Sequence, residues 1–141
     1  MKRRLVVSDA SSLILMAKSG LMKEAFRVFR VAIPEKVFHE TVTAGKELKK
    51  EDAFVIDNEI KEGMIRVLKA KKDTKVESLA GELNIGDGET EALYLYFQEK
   101  ADLLLTDDKQ AIKLANILGV KWLGVPNIAI LLFKRRLINY E

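Results

Sequence analysis

The sequence predicts an α/β fold: a central parallel sheet of about five strands with helices on both faces, in a three-layer α/β/α arrangement. Short apolar runs alternate with segments of helical spacing along the whole chain, as in consecutive βαβ units. The 141 residues are 48% apolar and 32% charged, a composition typical of a globular protein. We therefore expect residues 1–141 to form a single domain with its own core.

Three strands and four helices are predicted in the first half of the chain. In order they are strand 5–7, helices 13–19 and 21–29, strand 31–33, helices 35–44 and 53–62, and strand 64–68. Each strand is a short apolar run, and each helix has apolar residues three and four positions apart. Gly20 and Gly63 end helices, and Pro34 suits the beginning of the helix next to it. The charged stretch 45–52 is predicted to be a mobile loop or a helix end.

The second half adds two strands and four helices. In order they are helices 76–83 and 89–97, strand 102–106, helix 110–118, strand 120–125 and helix 126–137. The residues 84–88 are rich in glycine and polar side chains, which predicts a turn before the helix that begins at Glu89. Gly119 ends the helix before the last strand.

Composition excludes several kinds of active site. The chain has no cysteine, which removes thiol nucleophiles, cysteine-bound zinc and iron–sulfur clusters. A single histidine, His39, cannot form a two-histidine acid–base pair or a multi-histidine metal site. The formal net charge of +3 permits a phosphate-rich partner without indicating one. Chemistry must therefore rest on carboxylates, hydroxyls, lysines or backbone amides.

Acidic residues stand at the ends of two predicted strands and within two helices. Asp9 follows the first strand, and Asp107 and Asp108 follow the fourth. If these strands are neighbours where the strand order reverses, their carboxylates converge. Glu40 and Glu89 lie in the helices after Pro34 and Gly88. Each acid alone could be a helix cap or a solvated side chain. A cluster of carboxylates without histidine or cysteine instead predicts Mg²⁺ or Mn²⁺, which suits phosphodiester hydrolysis.

Four segments follow one another in a fixed order along the chain. They are Leu5-Val6-Val7-Ser8-Asp9-Ala10-Ser11-Ser12-Leu13, Ile33-Pro34 with Val37 and Glu40, Gly88-Glu89-Thr90-Glu91-Ala92-Leu93, and Leu104-Leu105-Thr106-Asp107-Asp108. This ordered set resembles the motifs of PIN-domain ribonucleases, as found in VapC-type toxins. The third segment is similar to the archaeal and bacterial branch that reads Gly-Glu-x-Glu-Ala. The resemblance spans essentially the whole chain, and it implies a PIN-like fold, an RNA-cleaving site that depends on Mg²⁺ or Mn²⁺, and frequent homodimers.

The resemblance also implies roles for the acidic residues. Asp9 is the central metal ligand, and Glu40 and Glu89 are the second and third acids. The fourth acid falls at Asp107 or Asp108. The family often has Thr-x-Asp here, which favours Asp108, but in this branch the acid more regularly follows the strand directly. We therefore predict Asp107 as the fourth acid and as a metal ligand with Asp9 and Glu89, and keep Asp108 as a supporting residue.

Three polar residues are implied to support these acids. Ser11 matches a position that often supports the first aspartate, and Thr106 matches a hydroxyl that holds metal or phosphate. Glu91 is an alternative acid in the third segment. Because Glu89 and Glu91 are two positions apart on a helix, they point roughly 200° apart and cannot both face one ion.

The leading prediction is a cytoplasmic metal-dependent endoribonuclease, with an RNA substrate and, by the resemblance, a role as the toxin of a toxin–antitoxin pair. A homodimer and a cognate antitoxin protein are the implied partners. The longest apolar run, 128–133, is too short to span a bilayer, so no membrane association is predicted. Two alternatives stay open: a non-catalytic PIN-like module that binds RNA or protein, and a phosphoryl-transfer domain of receiver or haloacid-dehalogenase type.

Overall fold

Five strands and the helices between them make up residues 3–137, the part of the chain that the computed structural model describes. The strands are β1 (Arg4–Ser8), β2 (Phe29–Pro34), β3 (Ile65–Leu68), β4 (Leu103–Leu105) and β5 (Trp122–Leu123). The helices are α1 (Ala10–Lys18), α2 (Met22–Phe26), α3 (Glu35–Phe38), α4 (Ala44–Glu47), α5 (Glu51–Lys61), α6 (Thr74–Glu82), α7 (Asp87–Gln98), α8 (Lys109–Leu118) and α9 (Val125–Lys134). A π-helical turn, His39–Thr43, joins α3 to α4.

The strands form one parallel sheet in the order β3-β2-β1-β4-β5. The central strand is β1, in which Val6 pairs with Val31 of β2 on one side and with Leu103 of β4 on the other. The chain adds β2 and β3 on one side of β1 and then crosses to β4 on the other, so the strand order reverses between β1 and β4. The predicted neighbourhood of the first and fourth strands is therefore confirmed. A receiver domain has the order 2-1-3-4-5, so the receiver alternative is wrong.

Two apolar layers cover the two faces of the sheet. On one face Leu13, Phe26 and Ile56, from α1, α2 and α5, pack with α9 against the sheet. On the other face Leu93 and Leu114, from α7 and α8, pack together with α6. These side chains are at most 4% exposed, as expected of a continuous core. The predicted three-layer α/β/α fold is confirmed.

Several elements differ in extent from the sequence prediction. The stretch 45–52, predicted as a loop or a helix end, is helical at both ends, because α4 continues to Glu47 and α5 begins at Glu51. The fifth strand has two residues instead of six, because Gly124 caps α9 and the helix begins at Val125. The helix predicted over 21–29 ends at Phe26, since Phe29 already belongs to β2. Among the described helices, none is long and apolar enough to cross a membrane.

Candidate active site

Asp9 is the most enclosed acidic residue at the carboxyl edge of the sheet. It directly follows β1 and caps α1, because its Oδ1 accepts a hydrogen bond from the Ser12 backbone N–H at 2.9 Å. Its Oδ2 accepts a hydrogen bond from the Thr106 hydroxyl at 2.6 Å. Asp9 is only 1% exposed. Groups that follow β1 and β4 therefore fix both carboxylate oxygens.

The surroundings of Asp9 disfavour its ionised form. Burial raises the pKa of Asp9 above its ordinary value, because the charge loses water. Hydrogen bonds from Thr106 and Ser12 lower the pKa, and the charge of Asp107 raises it again. Burial is the largest of these effects, so a proton or a cation would stabilise this carboxylate.

Asp107 and Asp108 follow β4 and point to two different helices. Oδ2 of Asp107 accepts a hydrogen bond from the Val125 N–H, at the beginning of α9, at 3.2 Å. Its Oδ1 occupies the space that a Cβ atom on Gly124 would need, so the absence of a side chain there allows the approach. Oδ2 of Asp108 caps α8 by accepting the Ala111 N–H at 2.8 Å. Both acids are exposed, in contrast to Asp9.

Thr106 connects the ends of β1 and β4. It is completely buried and donates its hydroxyl proton to Asp9, while the same oxygen accepts the Asp108 N–H at 3.2 Å. The hydroxyl is therefore fixed in orientation, and it couples the position of Asp9 to the turn that contains Asp107 and Asp108.

Glu40 lies in the π turn between α3 and α4. In this turn the Ala44 N–H bonds to the His39 carbonyl, five residues back, and π turns of this kind are frequent at functional sites. The Glu40 carboxylate lies directly against the backbone of Gly88 in α7, where any side chain would displace it. Burial raises the pKa of Glu40, and the charge of Glu89 raises it further, while Lys36 lowers it.

Glu89 and Glu91 point to different neighbours. Burial raises the pKa of Glu89, and the charges of Asp9 and Asp108 raise it further. Glu91 instead accepts the Lys36 N–H at 3.3 Å with its Oε1, in the first turn of α3. Of the two, Glu89 is the one whose charge raises the pKa of another acid, Glu40.

The structure thus brings Asp9, Glu40, Glu89, Asp107 and Asp108 to one place. Ser11 stands apart: it is exposed, and the neighbouring Ser12 makes the contact with Asp9 that the sequence led us to expect of Ser11. Sequence reasoning gave no spatial role to Gly88 and did not single out Gly124, whose missing side chains make room for two of the acids. The glycine directly before Glu89 was visible in the sequence, but its contact with Glu40 arises only in the fold.

The helix directions partly compensate the negative charge. Asp9, Asp108 and Asp107 each accept an N–H at the beginning of a helix, where the helix dipole favours negative charge. Within residues 3–137, none of the five acids forms a salt bridge. Helix dipoles and the nearby Lys36 therefore compensate only part of the negative charge of these five carboxylates.

The donor set fits a hard divalent cation. It consists of carboxylate oxygens with a hydroxyl beside them, the ligands that Mg²⁺ and Mn²⁺ prefer. In the described part of the chain no three acidic or histidine side chains are already close enough to hold an ion as they stand. The carboxylates of Glu40 and Glu89 end flexible side chains, so a small change of rotamer alters their reach.

Comparison with known proteins identifies the family. The family model described as a PIN domain matches residues 5–141. The chain belongs to the PIN-domain family. This confirms the resemblance drawn from the four sequence segments, and it adds a coarse statement of function, because PIN domains are generally nucleases and typically use divalent metal ions.

Solved structures share the fold of this PIN domain. The protein PAE2754 from Pyrobaculum aerophilum is 15% identical, with a TM-score of 0.60 over 94% of this chain and 99% of that chain. VapBC2 from Rickettsia felis, bound to a DNA fragment from its promoter, is 15% identical, with a TM-score of 0.57 over 85% and 98%. A domain of a functionally unknown protein from Methanocaldococcus jannaschii is 16% identical, with a TM-score of 0.57 over 86% and 90%. No curated protein matches the chain significantly in sequence.

Proposed function

We propose that this PIN domain is a metal-dependent endoribonuclease that cleaves RNA phosphodiester bonds. The supporting observation is the convergence of carboxylates where the strand order reverses, with no salt bridge to any of them within residues 3–137. Like charges gathered in this way are costly unless a cation joins them. We assign the binding of Mg²⁺ or Mn²⁺ to Asp9, Glu89 and Asp107.

The residues around the acids prepare the site for this chemistry. A divalent ion held by Asp9, Glu89 and Asp107 would stabilise the negative charge that develops on the phosphoryl group and would make a water molecule easier to deprotonate. The Ser12 N–H and the Thr106 hydroxyl prevent the Asp9 carboxylate from rotating. The Val125 N–H holds one oxygen of Asp107 and leaves the other toward Gly124. Fixed ligands of this kind need little rearrangement during the reaction.

We assign Glu40 the role of proton acceptor. Its pKa is raised by burial and by the neighbouring charge of Glu89, which makes its carboxylate a stronger base at neutral pH than an ordinary glutamate. It is also more exposed than Asp9, so water can reach it. Contact with Gly88 directs the carboxylate toward α7, on which Glu89 lies.

A cleavage assay with purified protein tests this proposal. We expect a labelled single-stranded RNA to be cleaved with Mg²⁺ or Mn²⁺, and EDTA to stop the reaction. Asp9→Asn should abolish cleavage, while Asp52→Asn, which removes the same charge from α5, should keep it. Equal activity of Asp9→Asn and the unmodified protein would overturn the mechanism.

A second candidate function is a PIN-like module that binds RNA or protein without cleaving it. Among the described residues, no three carboxylates are close enough together to coordinate one ion, which favours this alternative. Calorimetric titration with Mn²⁺ separates the two functions. Binding that is lost in Asp9→Asn supports the nuclease, and the absence of binding at millimolar Mn²⁺ supports the module.

The proposal includes the partners that the family resemblance implies, namely a second copy of the chain and an antitoxin protein. Light scattering after size-exclusion chromatography measures the first, with twice the mass of one chain as the expected result. Co-purification with the product of the neighbouring open reading frame measures the second. Protection of cells from growth arrest by that product would support a toxin role.

A further inference from the structure

Six of the seven arginines of the chain stand before or at the beginning of a strand, or directly after a helix, toward the end of the sheet opposite the carboxylates. The seventh, Arg66 of β3, pairs with Ala32 and is level with Val7 of β1. Strands of a parallel sheet begin at one edge, and the helices that return across the sheet end there. We call this set the arginine edge. Its members are Arg3 and Arg4 at the beginning of β1, Arg30 in β2, Arg66 in β3, Arg27 after α2, and Arg135 and Arg136 after α9.

Six of these arginines line two adjoining cavities. The larger cavity has a volume of about 470 Å³ and the smaller one about 110 Å³. Arg3 lines both cavities and joins them into one surface. The remaining lining residues are apolar or glycine, and no aspartate or glutamate lines either cavity. The charged side chains that line this surface are therefore all positive.

The guanidinium groups have few partners within residues 3–137. Arg3 donates to the Phe26 carbonyl at 2.6 Å, and Arg30 donates to the Arg3 carbonyl at 3.4 Å. In that same range no arginine forms a salt bridge. The five arginines other than Arg3 and Arg30 make no side-chain hydrogen bond there. Each guanidinium has five N–H donors, so most donors of the edge are directed to solvent. The buried Glu59, beside Arg27, pairs with Lys23 at 3.8 Å.

Helix dipoles explain only part of this arrangement. A cation after α2 or α9 complements the negative end of a helix, which accounts for Arg27 and Arg135. Lysine would serve equally there, and the chain uses lysine more often than arginine elsewhere. Arg30 and Arg66 belong to strands, so no helix end explains them. Arginine differs from lysine in binding the oxygens of a phosphate with two parallel hydrogen bonds.

We propose that the arginine edge binds the phosphate backbone of an RNA strand, at a surface separate from the carboxylate site. In the strand register Arg30 is level with Leu5 and Arg66 is level with Val7, so the strand arginines are spread over the sheet at different heights, with Arg4 on the opposite face from Arg30 and Arg66. Several separate charges suit a polymer with repeated charges better than a single anion. The inference rests on the proposed function only for the choice of RNA among polyanions.

RNA binding to a non-cleaving background tests this surface. We would use Asp9→Asn protein in EDTA with a fluorescent single-stranded RNA, and compare Arg27→Gln/Arg135→Gln with Lys75→Gln/Lys113→Gln. Both pairs remove two positive charges from exposed positions. The arginine pair should weaken binding about tenfold at low salt and reduce the salt slope by about 1.4 for two lost phosphate contacts. The lysine pair should change neither clearly.

Equal losses in the two double variants, or no loss in either, would overturn the arginine edge as an RNA surface. Vesicles with anionic lipids serve as a second probe. If the arginine variant binds these vesicles more weakly but binds RNA as well as the Asp9→Asn background does, the proposal is also overturned. If thermal melts show that Arg27→Gln/Arg135→Gln is unfolded, Arg4→Gln/Arg66→Gln replaces it. Loss of cleavage in Asp9→Asn with normal RNA binding in the arginine variants would refute this inference alone and leave the proposed nuclease intact.

Discussion

The two ends of the sheet carry opposite charge, and their side chains are held in different ways. At the carboxyl edge, Asp9, Asp107 and Asp108 each accept a hydrogen bond from a helix N–H, and Asp9 is almost fully buried. At the arginine edge, most guanidinium groups are exposed and without an internal partner in the described chain. Chemistry on a phosphodiester requires fixed groups, whereas retention of a charged polymer tolerates mobile ones. The difference in fixation therefore matches the two roles that we propose.

The net charge of the chain does not reveal this separation of acidic and basic residues. The formal value of +3 arises from a nearly equal number of acidic and basic residues and indicates no partner. In a parallel sheet, residues that precede strands lie at one edge and residues that follow strands lie at the other. Basic residues before strands and acidic residues after them are therefore separated in space. The five residues of β1 span about 17 Å, which is the approximate distance between the two charged ends.

The largest expected effect concerns the carboxyl edge, where Asp107 and Asp108 compete for one role. Asp107→Asn should lower RNA cleavage about 10³-fold, since it removes a ligand of an ion that contributes several kcal/mol. Asp108→Asn should lower it tenfold or less, because asparagine caps a helix about as well as aspartate. Cleavage rates at saturating Mn²⁺ measure both variants. The reverse order would assign the fourth acid to Asp108.

A smaller loss is expected when the space for Glu40 is filled. Gly88→Ala should lower cleavage by about 10- to 100-fold, because the new methyl group displaces the Glu40 carboxylate. Stability should stay the same or rise by up to about 1 kcal/mol, since alanine favours the helix and only the end of a flexible side chain has to move. Chemical denaturation measures the second effect, and Gly81→Ala, in open space on α6, is the matched control. Full activity in Gly88→Ala would remove Glu40 from the mechanism.

Substrate length connects the two edges. Arg27→Gln/Arg135→Gln should raise KM about fivefold for a long RNA, because the strand loses contacts about 17 Å from the cleavage site. The same variant should cleave a short oligonucleotide that cannot reach both edges at an unchanged rate. Steady-state kinetics on the two substrates give the comparison. Equal changes for both lengths would show that the arginines act on the site itself.

The smallest expected effect is a dependence of metal stabilisation on pH. The pKa values of Asp9, Glu40 and Glu89 are raised, so the folded state binds protons more tightly than the unfolded chain. Stability from these groups is therefore present at low pH and is lost as pH rises through the raised pKa values. A cation restores it, and Mn²⁺ should raise Tm by a few degrees more at about pH 7.5 than at about pH 5. In Asp9→Asn the metal-induced increase should be absent at both pH values.

The sequence was sufficient for the sheet and for the acids that directly follow strands. Asp9 and Asp107 are placed by local geometry, because a residue after a buried parallel strand must lie at the carboxyl edge. The short fifth strand was harder to predict, since Val120 to Val125 is apolar or glycine except for Lys121, and only the packing of α9 decides that the helix begins at Val125. The stretch 45–52, predicted as a mobile loop or a helix end, contains the end of α4 and the beginning of α5. The extent of these helices was not predictable from local sequence, because they are stabilised by contacts between α4 and α5, such as Gly45 against Ala53.

The arginine edge could not be found by counting charges along the chain. Its members come from separate segments, and no segment is rich enough in arginine to form a block. A usable signal was present in the distribution of residue types, because arginine stands at the beginning of β1, β2 and β3 while lysine occupies most other basic positions. The approach of Glu40 to Gly88 had no such signal, since it depends on the π turn.

That π turn makes the position of Glu40 sensitive to the number of residues in the chain. One deletion, such as the loss of Thr43, would restore ordinary helical hydrogen bonding and rotate the following helix by about 100° relative to Glu40. Either α5 would then leave its packing against α1, or the carboxylate would leave Gly88. A homologue shorter by one residue between 39 and 43 would therefore have to place its second acid at a different position.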